Sequence, residues 1–386
     1  MENVRIGILG LGNMGSHHAT YIRRGDVKGG VLAAVCDIKP EKIKWAKETF
    51  KDGVSFFDDA EKMFASGEID AVIVAIPHYF HPPMAIMAFK YNLHALVEKP
   101  AGVYTKQVRE MNEAAAKSDR VFGIMFNQRT NPLYQKAREL VSSGEVGIIK
   151  RSNWIITDWY RPQSYYDSGD WRATWAGEGG GVLMNQSPHQ LDLWQWICGM
   201  PTRIRAFCNE AKFHNIEVED DVTAYAEYEN GATGVFVTST GDHPGTNRFE
   251  ILGDRGKIII EAGKLNFWRL RESERDFNRN TKIAFSAPEV WKCDVPVHGA
   301  TTEHIGITNN FVNSILTGAP LLASGAEGIN GVTLANAMYL STWTDNWVTL
   351  PLDEDLYLEK LQAKIATSSY KKVATNTTNA SLEGTF

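Results

Sequence analysis

Cysteine is scarce and scattered. Cys36, Cys198, Cys208 and Cys293 share no C-x-x-C spacing, which supports neither a disulfide scaffold nor a zinc site and fits buried thiols in a reducing compartment. Basic excess is missing as well, with a formal charge of -6 and an isoelectric point near 6.0. Nucleic acid and anionic membrane both reward cationic surfaces, so neither is expected as a partner. No apolar stretch approaches the roughly 18 residues needed to span a bilayer. The apolar run Ile6–Leu11 is short and passes straight into a glycine turn, so it reads as a strand and not as a signal peptide. These absences make the cytoplasm the expected location. What remains is an ordinary globular composition, 43% hydrophobic and 22% charged, over 386 residues. That length exceeds what one hydrophobic core usually serves, so two domains are expected.

Strand and helix patterns alternate at the start. The apolar runs Val4–Leu9, Val31–Cys36, Ala71–Ile76, Leu93–Val97 and Val121–Phe126 are separated by helical patterns over Asn13–Arg24, Pro40–Phe50, Pro82–Lys90 and Thr105–Lys117. Strands apolar throughout, with helices between them, imply a parallel sheet covered on both faces. The fold class is therefore α/β, with an N-terminal doubly wound domain over 1–126. Beyond Phe126 comes one more helix, Asn131–Ser142, then long alternating runs over Lys150–Trp159, Thr202–Phe213, Val222–Glu229, Ala232–Thr240, Arg248–Leu252 and Lys257–Glu261. Asn230-Gly231 between two of them predicts a hairpin whose two turn residues both take positive φ. Gly253 to Gly256 predicts a second tight turn. Residues 127–366 are thus expected to form an α+β domain with a large, mostly antiparallel open sheet, covered by helices at Glu303–Leu316 and Gly328–Thr342. The Ser/Thr/Asn-rich stretch 367–386 reads as a mobile tail.

Gly10-Leu11-Gly12-Asn13-Met14-Gly15 follows a strand and opens a helix, the context required of a Rossmann dinucleotide-binding turn. Gly10 permits the tight turn, Gly12 lets the backbone approach a pyrophosphate, and Gly15 lets helix and strand pack closely. Phosphate then meets unpaired N–H groups at the helix N-terminus. Asp37 ends the second strand, where an acid accepts the adenosine ribose hydroxyls; its other reading is a capping acid before Pro40. No arginine follows it directly, so NAD is expected rather than NADP, with Lys39 nearby.

Ala75-Ile76-Pro77-His78-Tyr79-Phe80-His81, Val97-Glu98-Lys99-Pro100 and the segment from Gly179-Gly180-Gly181 through Asn185 to His189 and Asp192 resemble the glucose–fructose oxidoreductase/inositol dehydrogenase (Gfo/Idh/MocA) family. The resemblance covers essentially the whole chain apart from the tail. It implies that Lys99 and His189 flank the nicotinamide, with Ile76, Pro77, His78, His81, Glu98, Asn127, Trp171 and Arg172 near the cofactor. Oxidising a secondary alcohol needs a base for the hydroxyl proton and a positive group for developing alkoxide charge. His189 suits the first task and Lys99 the second, with a proton-relay role open to Lys99. The alternatives are an ion pair of Lys99 with Glu98 and a packing role for His189. Many relatives carry aspartate where this chain has Asn185, and an amide orients without holding charge. Asp192 is expected to tie His189 or a backbone N–H in place. His78 and His81 lack a third ligand, so no metal is expected.

The stretch Trp154–Trp175 interleaves aromatic and charged residues, Asp170 among them, which suits a sugar, glycoside or cyclitol substrate; the alternative is an aromatic core patch. Arg161, Tyr166 and Arg172 are the candidates for hydroxyl contacts. His304 is a candidate for the same pocket or for a capping role. The expected activity is reversible oxidation of a ring secondary alcohol. The alternatives are a redox-neutral cycle on tightly held NAD and a non-catalytic NAD-sensing relative. The family implies a homodimer or homotetramer through the C-terminal sheet.

Overall fold

A computed structural model describes residues 2–169 and 171–368. Asp170 and the stretch 369–386 of the expected tail lie outside the described residues. Thr367 and Ser368, assigned to that tail, are tied in: Thr367 caps the last helix and the Ser368 hydroxyl donates to Glu217 at 2.5 Å.

The first half alternates as its apolar runs require. In order come β1 (Val4–Leu9), α1 (Asn13–Arg24), β2 (Gly30–Cys36), α2 (Pro40–Phe50), β3 (Ser55–Phe57), α3 (Ala60–Ala65), β4 (Ala71–Val74), α4 (His81–Lys90), β5 (His94–Val97), α5 (Thr105–Ala116) and β6 (Phe122–Ile124). The six strands pair in parallel in the order β3-β2-β1-β4-β5-β6. The order reverses direction beside β1, and the loop after β1 therefore opens into the crevice where such sheets bind ligands. β3 and α3 have no counterpart in the sequence pattern.

The second half contains α6 (Pro132–Ser142), β7 (Ile149–Ile156), α7 (Gln163–Asp167), α8 (Pro188–Cys198), β8 (Arg203–Glu210), β9 (Glu219–Glu227), β10 (Thr233–Ser239), β11 (Asn247–Gly253), β12 (Gly256–Glu261), β13 (Lys264–Leu270), α9 (Glu274–Asn280), β14 (Val290–Cys293), α10 (Glu303–Thr317), α11 (Gly328–Thr344), β15 (Val348–Thr349) and α12 (Glu354–Ala366). Nine strands form one sheet, β14-β13-β12-β11-β7-β10-β9-β8-β15. The β7–β10 pair is parallel and the others are antiparallel. Phe236, Trp154 and Phe249 lie side by side across β10, β7 and β11, all at most 1% exposed. Trp154 stacks on Phe249 at 4.2 Å, and Trp194 of α8 covers Phe236. That face is the second core.

The β9–β10 hairpin differs from expectation. Gly231 takes φ +81 but Asn230 is not among the positive-φ residues, and Tyr228 donates its N–H to the Ala232 carbonyl at 3.0 Å. The connection is a wider loop than a two-residue turn. Another departure concerns α10, whose Ile307, Phe311 and Val312 join the core of the first sheet. The chain thus returns to its N-terminal half after building the second.

Candidate active site

The glycine turn has the shape a dinucleotide needs. Gly10 adopts φ +92, and a Cβ on Gly15 would lie 1.8 Å from the Gly10 carbonyl oxygen, so neither position admits a side chain. Gly12 faces open space and no side chain caps α1, leaving the first-turn N–H groups, at Asn13 and Met14 onward, for phosphate oxygens. These residues fit a bound dinucleotide. Asp37 is already bonded within the protein. Its carboxylate accepts from the Leu11 N–H at 2.6 Å and the Lys39 N–H at 2.8 Å, so it also braces the glycine turn.

Glu98 and Lys99 follow β5 directly. The expected alternative of an ion pair between them does not form. Instead the Glu98 carboxylate meets Nε2 of His18 at 2.6 Å, and His18 Nδ1 continues to the Tyr21 hydroxyl at 2.8 Å. Burial alone would raise the Glu98 carboxyl, but the His18 contact and neighbouring His304 and Lys99 overcome this and hold it at about 2. Lys99 Nζ donates to the backbone carbonyl of Asn185 at 2.8 Å. Burial pushes its ammonium below the ordinary value; Glu98 and Glu178 oppose the shift, while Arg172 and Arg161 add to it.

The segment carrying Asn185 and His189 is built on a buried carboxylate. Glu219 of β9 accepts the Gly181 and Leu183 N–H groups, each at 2.9 Å, and the Tyr339 hydroxyl at 2.7 Å. Burial raises its carboxyl to about 8. A Cβ on Gly181 would lie 1.9 Å from the Glu219 carbonyl oxygen, so the chain passes this point only as glycine. Pro188 then starts α8, which buries His189 beside the Phe126 ring. Burial, then Lys99 and His304, hold the His189 imidazole well below its ordinary value. Its Nδ1 is buried without a protein partner among the described residues. A buried lysine and a neutral imidazole thus lie close enough to act on each other electrostatically, the equipment for removing a proton from a hydroxyl and stabilising the oxygen left behind.

Several expected contacts take other roles. Asp192 holds neither His189 nor a backbone N–H; it receives Arg129 in a two-pronged pair at 2.8 and 2.6 Å, both side chains 1% exposed. The His81 ring lies 2.7 Å from the carbonyl oxygens of Ile76 and Pro100, so it clamps two site loops together and has neither nitrogen left for a cofactor. His78 Nδ1 donates to the Glu178 carbonyl at 3.2 Å and its ring packs against Trp171. Tyr166 is 2% exposed with its hydroxyl bonded to Thr240 at 2.6 Å, which removes it from the substrate candidates. Its neighbour Tyr165 lies under the guanidinium groups of both Arg161 and Arg172, and its hydroxyl accepts from Arg172 at 2.8 Å. Trp154 and Trp175 are also core, so part of the aromatic density is an aromatic core patch. Asn127 Nδ2 lies 3.5 Å from the His304 ring, and Asn127 Oδ1 is buried without a partner among the described residues. His304 is the second residue of α10, whose N-cap position is Thr302, and its ring packs against His17 and His18. Among the described residues no group of three or more His, Cys, Asp or Glu is arranged to hold a metal.

Four site residues carry no clear mark in the sequence. His18 follows the glycine turn by three positions, Glu178 immediately precedes Gly179, and Gln186 adjoins Asn185. Tyr165 is indistinguishable by type from the Tyr166 beside it. Gln186 donates to the Tyr165 hydroxyl at 3.0 Å, while its Oε1 is buried without a partner among the described residues. Proximity to the motifs is the one available signal for the first three.

Residues 4–126 match a family profile described as an oxidoreductase family with an NAD-binding Rossmann fold. Residues 134–259 match the GFO/IDH/MocA C-terminal domain. The myo-inositol 2-dehydrogenase of Thermotoga maritima is 23% identical over 341 residues, spanning 86% of this chain and 95% of that protein. The levoglucosan dehydrogenase of Pseudarthrobacter phenanthrenivorans is 22% identical across 91% of this chain and 99% of its own. The WlbA dehydrogenase of Bordetella pertussis, solved with NADH and UDP-GlcNAcA, has a TM-score of 0.76 at 26% identity, covering 91% of this chain and 100% of that one.

Proposed function

The chain belongs to the Gfo/Idh/MocA oxidoreductases, NAD-binding enzymes, and from that premise we propose that it reversibly oxidises a ring secondary alcohol of a sugar, glycoside or cyclitol. The observation that carries the proposal is the 2.8 Å bond from Lys99 Nζ to the Asn185 carbonyl. It joins the loop after β5 to the segment that leads into His189, uniting the two motifs.

Bound NAD supplies the hydride acceptor. His189, kept neutral at ordinary pH by its surroundings, takes the hydroxyl proton. Lys99 spends one N–H on Asn185 and keeps two for the substrate oxygen, where negative charge grows as the proton leaves. Arg161, Arg172, Tyr165 and Gln186 offer polar groups between aromatic faces, the mixture that recognises a hydroxylated ring. Asp37 favours NAD over NADP by presenting negative charge where a 2′-phosphate would lie. In this reading 1–126 is the cofactor domain and 127–366 the substrate domain. The outer face of the large sheet, exposing Ile155, Phe207 and Tyr225, pairs with a second copy.

The test is NAD reduction across free sugars, inositols and alkyl or aryl glycosides, with NMR of the product to locate the keto carbon. A ring ketone formed with equimolar NADH supports the reading. NAD that copurifies and never exchanges would replace it with a redox-neutral cycle, and no turnover with any of these classes would remove it.

A further inference from the structure

Asn185 is an amide in a site whose neighbours are mostly charged, and two of its contacts define its orientation. Its backbone carbonyl accepts from Lys99 Nζ at 2.8 Å, and its side-chain nitrogen donates to Oε1 of Glu178. Glu178 is 1% exposed. Its other oxygen accepts the Ala173 N–H at 2.6 Å, and the Arg172 guanidinium lies 3.8 Å from Oε1. Ala173 sits at φ +58, a conformation rare for a residue with a side chain, so the carboxylate also holds the turn that presents Arg172.

A carboxylate accepts hydrogen bonds and never donates them. The end of the Asn185 amide facing Glu178 is therefore the nitrogen, and Oδ1 is turned away from it as an acceptor. We infer that Glu178 is a positioning residue of the reaction centre, fixing Asn185 so that Oδ1 accepts from a substrate hydroxyl and supplying, one hydrogen bond removed, the negative charge that Asn185 lacks. The charge pattern supports this. Glu98, the other carboxylate acting on Lys99, is engaged by His18 at 2.6 Å. Glu178 faces Arg172 and acts on Lys99, which balances part of the cationic group formed by Lys99, Arg161 and Arg172. Without it, Glu98, already engaged by His18, would be the remaining carboxylate acting on Lys99 against Arg172 and Arg161.

The inference rests on the reading of the site as an alcohol-oxidising centre, and a charge-transposition cycle separates the two. Glu178→Gln, Asn185→Asp and the pair together are measured in the NAD-loaded full chain. The readouts are kcat, KM, the pH profile of kcat, NADH affinity and unfolding temperature. Glu178→Gln can keep the Ala173 N–H on its one oxygen only by turning its own NH2 toward Asn185, whose amide then flips to accept it, so NADH affinity and unfolding temperature stay near wild type while kcat falls about tenfold as Oδ1 leaves the substrate. Asn185→Asp sets two carboxylates together in one buried place, where both cannot stay ionised. It loses about tenfold or more in kcat, gains a new limb in its pH profile and unfolds at lower temperature. The pair restores one carboxylate facing one amide, and kcat returns to within about threefold of wild type.

Unchanged kcat in Glu178→Gln, or additive losses in the pair, would overturn the inference. Should a single variant fail to fold, recovery of folding in the pair supports coupling and continued failure refutes it. The unfolding temperatures need no substrate. A sugar screen without turnover therefore sinks the function reading, while the coupling between 178 and 185 still decides this one.

Discussion

Lys99→Met removes the ammonium and keeps a stem of similar length, which isolates the charge. Lys99 Nζ gives one N–H to the Asn185 carbonyl at 2.8 Å, so two donors remain for a substrate oxygen. Losing a preorganised donor to a developing oxyanion costs about 2.7–4 kcal/mol, or roughly 10²–10³ in kcat. The full positive charge makes that figure a lower bound. Folding responds in the opposite sense. Burial pushes the Lys99 ammonium below its ordinary value of 10.5, so the folded state holds this proton less tightly than the unfolded chain does. That cost is fully present below the folded-state value and vanishes as pH rises past the unfolded one. Lys99→Met is therefore expected to match or exceed wild-type stability at neutral pH, with the gap narrowing in alkali. Initial rates of NADH formation read the first effect, and thermal unfolding at neutral and alkaline pH reads the second. Turnover within about threefold of wild type would remove Lys99 from the reaction centre, since no oxyanion donor is worth so little. A lower unfolding temperature at neutral pH would show that its contacts outweigh its burial.

Asp37→Ser should shift the NAD-to-NADP preference toward NADP by about tenfold or more. It should also raise the KM for NAD, because the brace on Leu11 is lost; steady-state kinetics with both cofactors checks this, and an unmoved ratio would assign selectivity elsewhere. Arg129→Met leaves the Asp192 carboxylate buried without its cation, with an expected cost of about 3–5 kcal/mol in chemical denaturation. Burial already holds Asp192 above its ordinary value, so the loss should shrink as acid protonates it, and a pH-independent loss would contradict the account. Because burial, Lys99 and His304 lower the His189 imidazole well below 6.5, kcat/KM should stay level as pH falls through 6.5 and decline only below it. An acid limb centred at or above 6.5 would show that the base is another group or is less enclosed.

Elements with strong local signals are legible in the sequence itself. α1 over Asn13–Arg24 and α2 over Pro40–Phe50 have the bounds their patterns predict, because a glycine turn and a proline mark their starts. β3 has three residues, too few to show a period. α8 is buried on nearly every side, its polar residues His189, Gln190, Asp192 and Gln195 included, so no solvent-facing polar stripe marks its helical repeat. Tyr165 and Tyr166 have the same chemistry, and only packing decides which one meets the arginines and which one meets Thr240.

The same division runs through the site. Backbone tolerance is a local property: Gly10 and Gly15 sit where no side chain fits, and Gly12 completes the turn with open space in front of it. The tripeptide Glu98-Lys99-Pro100 and the segment ending at His189 carry the family resemblance in residue type and spacing, which any chain displays before it folds. Partnership between buried charges is not local. Glu98 finds His18 across 80 positions, Asp192 finds Arg129 across 63, and Lys99 finds the Asn185 carbonyl across 86. A charge removed from water must be compensated by whatever the folded chain brings within a few ångströms, and that neighbour is chosen by topology. The sequence therefore determined which chemistry is present, and the tertiary structure decided which groups are braced, which are paired, and which are left open to a substrate.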